Sequence, residues 1–235
     1  MQARANGEGG VKYLIVNADD FGASFGINRG IVEAHVHGIV TSASVMVDMP
    51  ASEDAAALAG DFPALSLGLH VDVSHGDPRQ LGSAISAELD RQTARFQALL
   101  GRLPSHVDSH LDLHDDPRLG LLPEFLALSR RLGVPLRRHA EIRHIRRFYG
   151  QWDGVTHLEQ ISVESLVGIV REEAADGVSE LTCHPGYVND DFRSSYHVER
   201  ETEVRTLCDP RTATGLADFG IRLTNFGDLP HVTGK

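Results

Sequence analysis

Both the fold and the chemistry of this chain are indicated by one stretch, Tyr13-Leu14-Ile15-Val16-Asn17-Ala18-Asp19-Asp20-Phe21-Gly22. Its four leading apolar residues predict a buried strand, and two adjacent carboxylates follow soon after them. Neighbouring residues of a strand point to opposite faces, so we expect Asp19 and Asp20 to face different ways and to differ in role. One carboxylate can bind a metal ion while the other handles a proton.

Composition limits the classes of protein to consider. The chain has 235 residues, of which 41% are hydrophobic and 23% charged, as is typical of a soluble globular protein. A net charge of −11 argues against non-specific binding to nucleic acid or to an anionic membrane. Only Lys12 and Lys235 are lysines. The body of the fold therefore offers no lysine for a Schiff base, a carboxylated-lysine metal bridge or a phosphate-binding loop.

Cysteine content and hydropathy indicate the cellular compartment and the domain organisation. Cys183 and Cys208 form neither a disulfide framework nor a zinc-binding cluster, so we expect free thiols in a reducing cytoplasm. Residues 1–10 are polar and glycine-rich and predict a disordered tail, with residues 11–235 forming a single domain. No run approaches the ~18 apolar residues that a membrane span needs.

Short apolar runs alternate with helical patterns along the chain. The predicted strands are 13–16, 41–47, 65–70, 106–109, 134–137, 180–183 and 221–224. The predicted helices are 27–37, 85–100, 121–132, 163–175 with Ser162 as its N-cap, and a helix that begins at Asp209-Pro210 and ends at Gly220. This alternation predicts an α/β fold, an irregular (β/α) barrel of about seven parallel strands with surrounding helices. A doubly wound open sheet is the second choice. Stretches 143–160 and 186–196 are predicted to be loops over a site.

Polar residues stand at the ends of the predicted strands, where parallel α/β folds carry their catalytic groups. These residues are Asp19, Asp20, His70, Asp108, His110, Arg137, Arg138 and His184. Two imidazoles and one carboxylate, from His70, His110 and Asp20, suit Zn²⁺ or a similar divalent ion. The alternative for any one of these histidines is a hydrogen-bonded core or surface residue.

The histidines at 106, 110 and 114 are spaced as on one helical face, but no glutamate follows His106 and the surrounding pattern favours a strand and then a loop. We interpret His110 as the ligand and His106 as structural. His114 is expected at the rim of the site or on the surface. Asp108 is expected to orient an imidazole from behind the metal ligands.

Five segments resemble the YdjC-like carbohydrate deacetylases, a family that includes chitooligosaccharide deacetylase and hopanoid-associated relatives. They are Leu14 to Gly22, Gly30 to Ala34 leading to Gly38 to Ala43, Leu67-Gly68-Leu69-His70, Pro104 to His110, and Cys183-His184-Pro185. The first segment and the Asp-Ser-His segment are specific, whereas Gly-Leu-His alone is not. Family members often continue Asp-Ser-His as His-His-Val-His, but here the continuation is Leu111-Asp112-Leu113-His114.

The resemblance implies an irregular (β/α) barrel that removes the acetyl group from an N-acetylated sugar. It makes Asp20, His70 and His110 the ligands of one divalent metal, with Zn²⁺ the first choice and Mg²⁺ another. It makes Asp19 the general base and His184 an acid or oxyanion-side group. A homodimer is implied only by this resemblance.

Substrate-contacting residues are expected among the arginines and loop aromatics. Arg137 or Arg138 is expected to fix the base or a sugar oxygen by a forked contact, the alternative being a surface ion pair. Trp152, Tyr149, Tyr187 and Tyr196 are candidates for stacking on sugar rings, the alternative being ordinary loop packing.

Three other functions are alternatives to deacetylation. A metal-dependent phosphoesterase with two metals needs more carboxylates than the strand ends supply. Amidohydrolase barrels usually carry His-x-His on the first strand and often a bridging lysine, and neither is present. The alternative from another class is a sugar-binding protein that keeps the fold without catalysis. The joint presence of Asp19, Asp20, His70, His110 and His184 argues against it.

Overall fold

The computed structural model describes residues 10–74, 84–188 and 194–233. Apart from Gly10, the predicted tail lies outside these ranges, as does 189–193 of the second predicted loop. The strands are β1 (Lys12–Phe21), β2 (Ser42–Val45), β3 (Ser66–Val71), β4 (Val107–Ser109), β5 (Arg143–Ile145), β6 (Gln151–Trp152), β7 (Val155–Thr156), β8 (Gly177–Cys183) and β9 (Ile221–Thr224). The α-helices are α1 (Phe25–Val36), α2 (Ser52–Asp61), α3 (Ile85–Leu100), α4 (Leu122–Leu132), α5 (Val163–Glu173), α6 (Val198–Cys208), α7 (Pro210–Asp218) and α8 (Leu229–Thr233).

One parallel sheet of seven strands organises the described residues. Its order is β4-β3-β2-β1-β8-β5, and β9 pairs with the first half of β1. Strand β1 is central, because β8 lies along one edge while β9 and then β2 share the other. The sheet curls into a half-barrel surrounded by helices, which confirms the predicted fold class. The carboxyl ends of its strands therefore meet in one region.

Burial explains why the run Leu14-Ile15-Val16 of β1 is apolar on both faces of the sheet. From Leu14 to Phe21 every residue of the strand is buried. A parallel sheet that is covered by helices excludes water from both sides, so alternation of polar and apolar residues is lost. Helix α1 packs onto this region through buried Ile27, Ile31 and Ala34.

The predicted helix caps are confirmed. Ser162 accepts a hydrogen bond from the backbone N–H of Ser165 at the start of α5. Asp209 accepts one from the N–H of Arg211, with Pro210 as the first residue of α7. These side chains satisfy amides that have no partner within the helix. Gly220 follows the end of α7 with a φ of 72°, a conformation that glycine adopts readily.

Two element predictions are wrong. Residues 134–137 form only a single bridge, between Leu136 and Val107, because Pro135 has no N–H to donate and Arg138 turns away with a φ of 67°. The strand lies further on, as β5, inside a stretch that was predicted to be loop. Helices α2 and α6 were not predicted. Among the helices of the described ranges, none combines the length and the hydrophobicity that a membrane span requires.

Candidate active site

A cavity of about 560 Å³ opens at the carboxyl ends of the strands. Residues from four parts of the sheet line it, including Asp19 and Asp20 of β1, His110 after β4, His144 of β5, and His184 after β8. The parallel topology therefore brings five of the eight strand-end residues named above to this cavity: Asp19, Asp20, His110, Arg138 and His184.

The two aspartates of β1 both line this cavity, so the prediction that they face opposite ways is wrong. Asp20 has a φ of 71°, and the pairing between β1 and β2 shifts register between Ala18 and Phe21. This bulge interrupts the alternation of side chains along the strand. Both carboxylates are buried, with relative exposures of 6% for Asp19 and 2% for Asp20.

Asp20, His70 and His110 form a compact group of metal-ligand type. Asp20 Oδ1 lies 3.1 Å from His110 Nδ1 and 3.5 Å from His70 Nε2, and one ligand atom from each residue lies within 4.8 Å of the others. Two donors bound to one Zn²⁺ at about 2.0–2.1 Å and the tetrahedral angle lie about 3.3 Å apart. The observed separations match that spacing, so these donors fit a single divalent ion.

The second polar atom of two of these residues is already engaged. Asp108 Oδ1 lies 2.7 Å from His70 Nδ1, which orients the ring so that Nε2 faces Asp20. Arg200 Nη2 donates to Asp20 Oδ2 at 2.5 Å, which leaves Oδ1 facing the histidines. Burial raises the pKa of Asp20, but Arg200 and His110 outweigh it and hold that pKa well below its usual value. Asp20 is thus ionised and directed at the histidine pair.

Asp19 is held by Arg137 rather than by the histidines. Arg137 donates to both carboxylate oxygens, from Nη1 at 2.8 Å and from Nη2 at 2.7 Å, and Asn17 Nδ2 donates to Oδ1 at 2.9 Å. Burial raises the pKa of Asp19, but the Arg137 charge outweighs it and lowers that pKa. Asp19 is therefore a fixed carboxylate at the cavity wall, beside the group that fits a metal.

Arg137 is buried behind Asp19 and is not among the described residues that line the cavity. Its Nη2 also lies 2.8 Å from Asp108 Oδ2. Its Nε lies 2.8 Å from Glu180 Oε1, though out of line for a hydrogen bond. Arg137 is therefore placed to fix the carboxylate of Asp19 and not to contact a sugar in the cavity.

His184 also lies close to Asp19. Its Nε2 is 3.9 Å from Asp19 Oδ2, and its backbone N–H donates to the carboxylate of Glu203. Burial lowers the pKa of His184, an effect that the Asp19 and Asp20 carboxylates only partly offset. An imidazole at this position can exchange a proton with a group bound between it and Asp19.

Of the remaining candidates for contact with substrate, some line the cavity and others do not. Arg138 lines the cavity and pairs with Asp112 and Asp115. Trp152 and Tyr187 are not among the described residues of its lining.

Two other histidines are buried in the core. His106 has no exposed surface and contacts Ser44 Oγ through Nε2 at 3.0 Å. His114 is also fully buried, with Nδ1 2.7 Å from Ser109 Oγ, so its expected place at the rim or surface is wrong. A strand-end histidine that turns inward cannot be told from an exposed one by spacing alone.

Helix α6 supplies two site residues that the sequence did not reveal. Arg200 lines the cavity and binds Asp20, and Glu203 binds the backbone of His184. Both side chains are buried on the same face of the helix. Their charge removes the apolar periodicity by which a helix is recognised, and no motif marked them.

Backbone conformation also sets this region apart. Five non-glycine residues of the described chain have positive φ, and four of them line the cavity: Asp20, Leu111, Asp112 and Arg138. Such conformations persist only where the surrounding structure holds them, and they concentrate at functional sites.

Comparisons with known proteins agree with this geometry. The sequence model of a family described as YdjC-like protein matches residues 13–218. The chain is 34% identical to a chitooligosaccharide deacetylase of Serratia marcescens, over 93% of this chain and 99% of that protein. It is 35% identical to a carbohydrate deacetylase of Geobacillus stearothermophilus, over 93% and 98%. A solved structure from Enterococcus faecalis V583, provisionally described as a cellobiose-phosphate cleavage protein, superposes with a TM-score of 0.79 at 26% identity, over 93% of this chain and 99% of that one.

Proposed function

We propose that this chain, which belongs to the YdjC-like family, is a metal-dependent deacetylase that hydrolyses the N-acetyl group of an amino sugar or oligosaccharide. The products are acetate and a free amine. One observation carries the proposal: Asp20 and His110 of a group that fits a metal ion line the same cavity as the carboxylate of Asp19 and the imidazole of His184. The names of the relatives supply the substrate class.

Asp20, His70 and His110 are the proposed ligands of the ion. Two imidazole nitrogens and one carboxylate oxygen favour Zn²⁺ over Mg²⁺, which prefers an all-oxygen shell. With an ion bound by these residues, the site would gain a Lewis acid that could polarise the amide carbonyl and lower the pKa of water to about 7.

Asp19 is the proposed general base. Its carboxylate is ionised, so it can accept the proton that water loses on attacking the amide carbon. Arg137 and Asn17 fix its orientation from behind, so little reorganisation is needed during the reaction. The forked contact from Arg137 also keeps the carboxylate ionised inside a buried wall.

His184 is the proposed proton donor to the departing amine. The nitrogen of an amide is a poor leaving group until it is protonated, and His184 lies beside Asp19 in the lining of the cavity. The proton that Asp19 takes from water is the one that His184 passes on to the amine, and the 3.9 Å between Asp19 Oδ2 and His184 Nε2 makes that transfer a short one.

The two-metal phosphoesterase is disfavoured by Arg137. A second group of metal-ligand type, Asp19, His70 and Asp108, lies next to the first. However, the guanidinium of Arg137 lies against both of these carboxylates, at 2.7 Å from Asp19 Oδ1 and 2.8 Å from Asp108 Oδ2. A second cation there would displace a buried arginine that already neutralises them.

A screen of N-acetylated sugars for acetate release tests the proposal. The wild-type protein is expected to release acetate, Asp19→Asn to keep its metal and lose turnover, and His70→Ala to lose the metal. Full activity of Asp19→Asn would show that the base is assigned wrongly. Tight sugar binding with no acetate from any sugar would favour the non-catalytic alternative.

A further inference from the structure

Glu203 joins three chain segments that form one wall of the cavity. Its side chain has no exposed surface, and its carboxylate accepts hydrogen bonds from the backbone N–H of His184 and from the hydroxyl of Tyr196, the latter at 2.6 Å. The same hydroxyl accepts a hydrogen bond from the N–H of Gly150 at 2.8 Å. A buried carboxylate with two donors holds these segments firmly in register.

Tyr196 carries a second ring on its face. The rings of Tyr149 and Tyr196 are stacked, with centroids 4.7 Å apart and planes within 7°. Tyr196 is 5% exposed, whereas Tyr149 is 41% exposed and lines the cavity. The imidazole of His184 meets both rings edge-on, with its centroid 5.8 Å from each. An open aromatic ring therefore lies beside the proposed proton donor, on a fixed support.

The other aromatic candidates, Trp152 and Tyr187, are not among the described residues that line the cavity. One face of the Trp152 indole stacks on the ring of His157, at 3.5 Å and 2°, away from the described cavity lining. The ring of Tyr187 is covered by the guanidinium of Arg29 at 4.4 Å, and its hydroxyl donates to Glu33. Among the described aromatic residues that line the cavity, Phe148 is buried and Tyr196 is covered, so Tyr149 has the largest open ring.

We propose that Tyr149 is the platform on which the sugar ring bearing the acetamide stacks, with Tyr196 and Glu203 as positioning residues behind it. This inference rests on the proposed function. The apolar face of a pyranose packs against an aromatic ring much as one ring packs on another. The amide nitrogen is one bond from that pyranose, so a sugar stacked on Tyr149 brings the nitrogen toward His184.

Binding and turnover are measured separately to test the platform. Calorimetry on the metal-loaded Asp19→Asn protein gives Kd for N-acetylglucosamine and its β-1,4-linked dimer, and kinetics on the otherwise unchanged enzyme give KM and kcat. Tyr149→Ala is expected to raise Kd and KM about tenfold for both sugars, equivalent to about 1.4 kcal/mol, with kcat changed less. Tyr149→Phe keeps the ring and is expected to stay within twofold of the parent protein. Tyr196→Phe, which removes the contact with Glu203, is expected to raise KM by a smaller factor.

Matched variants separate the possible outcomes. Phe219→Ala removes an aromatic side chain of similar exposure that lies outside the described cavity lining, and it is expected to change neither constant. Acetate release with an unchanged Kd in Tyr149→Ala, or a raised KM in Trp152→Ala alone, would overturn the platform. Sugar binding that depends on Tyr149 without any acetate release would support the platform and overturn the proposed function.

Discussion

The buried imidazole of His106 is expected to make the protein less stable in acid. The side chain has no exposed surface, its Nδ1 and Nε2 lie 3.0 Å from the hydroxyls of Ser105 and Ser44, and its ring stacks on Phe226 at 3.8 Å. Burial lowers the pKa of His106 from 6.5 to about 3, because a charged imidazole loses its water there. The folded protein therefore keeps this ring neutral over most of the acid range.

The sign and size of the effect follow from the difference between the two states. The unfolded chain takes up a proton at this histidine below pH 6.5, whereas the folded chain does so only near pH 3. Stability that is present above pH 6.5 is thus lost as the pH falls below that value. A pH of 5 lies about 1.5 units below the pKa of the unfolded histidine. At 1.36 kcal/mol per unit, the free energy of unfolding is lower there by about 2 kcal/mol.

Urea unfolding at pH 7.5 and pH 5.0 measures this loss. His106→Gln keeps a donor and an acceptor for the two serines but cannot take up the proton, so it is expected to lose about 2 kcal/mol less than the wild type between these pH values. Other titrating groups are common to both proteins and cancel in the comparison. His37→Gln, at an exposed position after α1, is expected to behave as the wild type. Equal losses in the wild type and His106→Gln would refute the reasoning.

Two further predictions concern the support of the metal-ligand group. A Cβ at Gly68 would lie 2.3 Å from ring atoms of His106, so Gly68→Ala is expected to lower the free energy of unfolding by about 1–3 kcal/mol in urea titration. The control is Gly60→Ala in α2, where an added Cβ would have no atom within 4 Å. This substitution is expected to raise the free energy of unfolding by up to ~1 kcal/mol. Asp108→Asn weakens the hold on His70 and is expected to reduce metal affinity by about 10–100-fold in competition with a chelator. Unchanged stability in Gly68→Ala or unchanged affinity in Asp108→Asn would contradict these accounts.

The parts of the site that could be predicted are those fixed by topology. Parallel strands place their carboxyl ends together, so Asp20, His70 and His110 could be grouped from their positions after apolar runs. The bulge at Asp20 could not be predicted, because an aspartate in an extended run carries no sign of a positive φ. Its effect is large, since it brings both carboxylates of β1 to one cavity.

The parts that could not be predicted are those where charge is buried. Helix α6 turns Glu199, Arg200 and Glu203 inward, so the apolar stripe that identifies a surface helix is absent. Strand β5 is only three residues long and two of them are polar, which gives no apolar run to recognise. In both elements the partners that make burial favourable are distant in sequence, such as Asp20 for Arg200.

The central claim is that Asp20, His70 and His110 hold one catalytic metal ion beside Asp19 and His184. The most direct measurement is acetate release from the β-1,4-linked dimer of N-acetylglucosamine by chelator-treated protein, during stepwise addition of Zn²⁺. The account predicts no release from the metal-free protein and a rise in rate that levels off at one equivalent, with no recovery in His70→Ala. Undiminished release from protein shown to be metal-free by elemental analysis would contradict it.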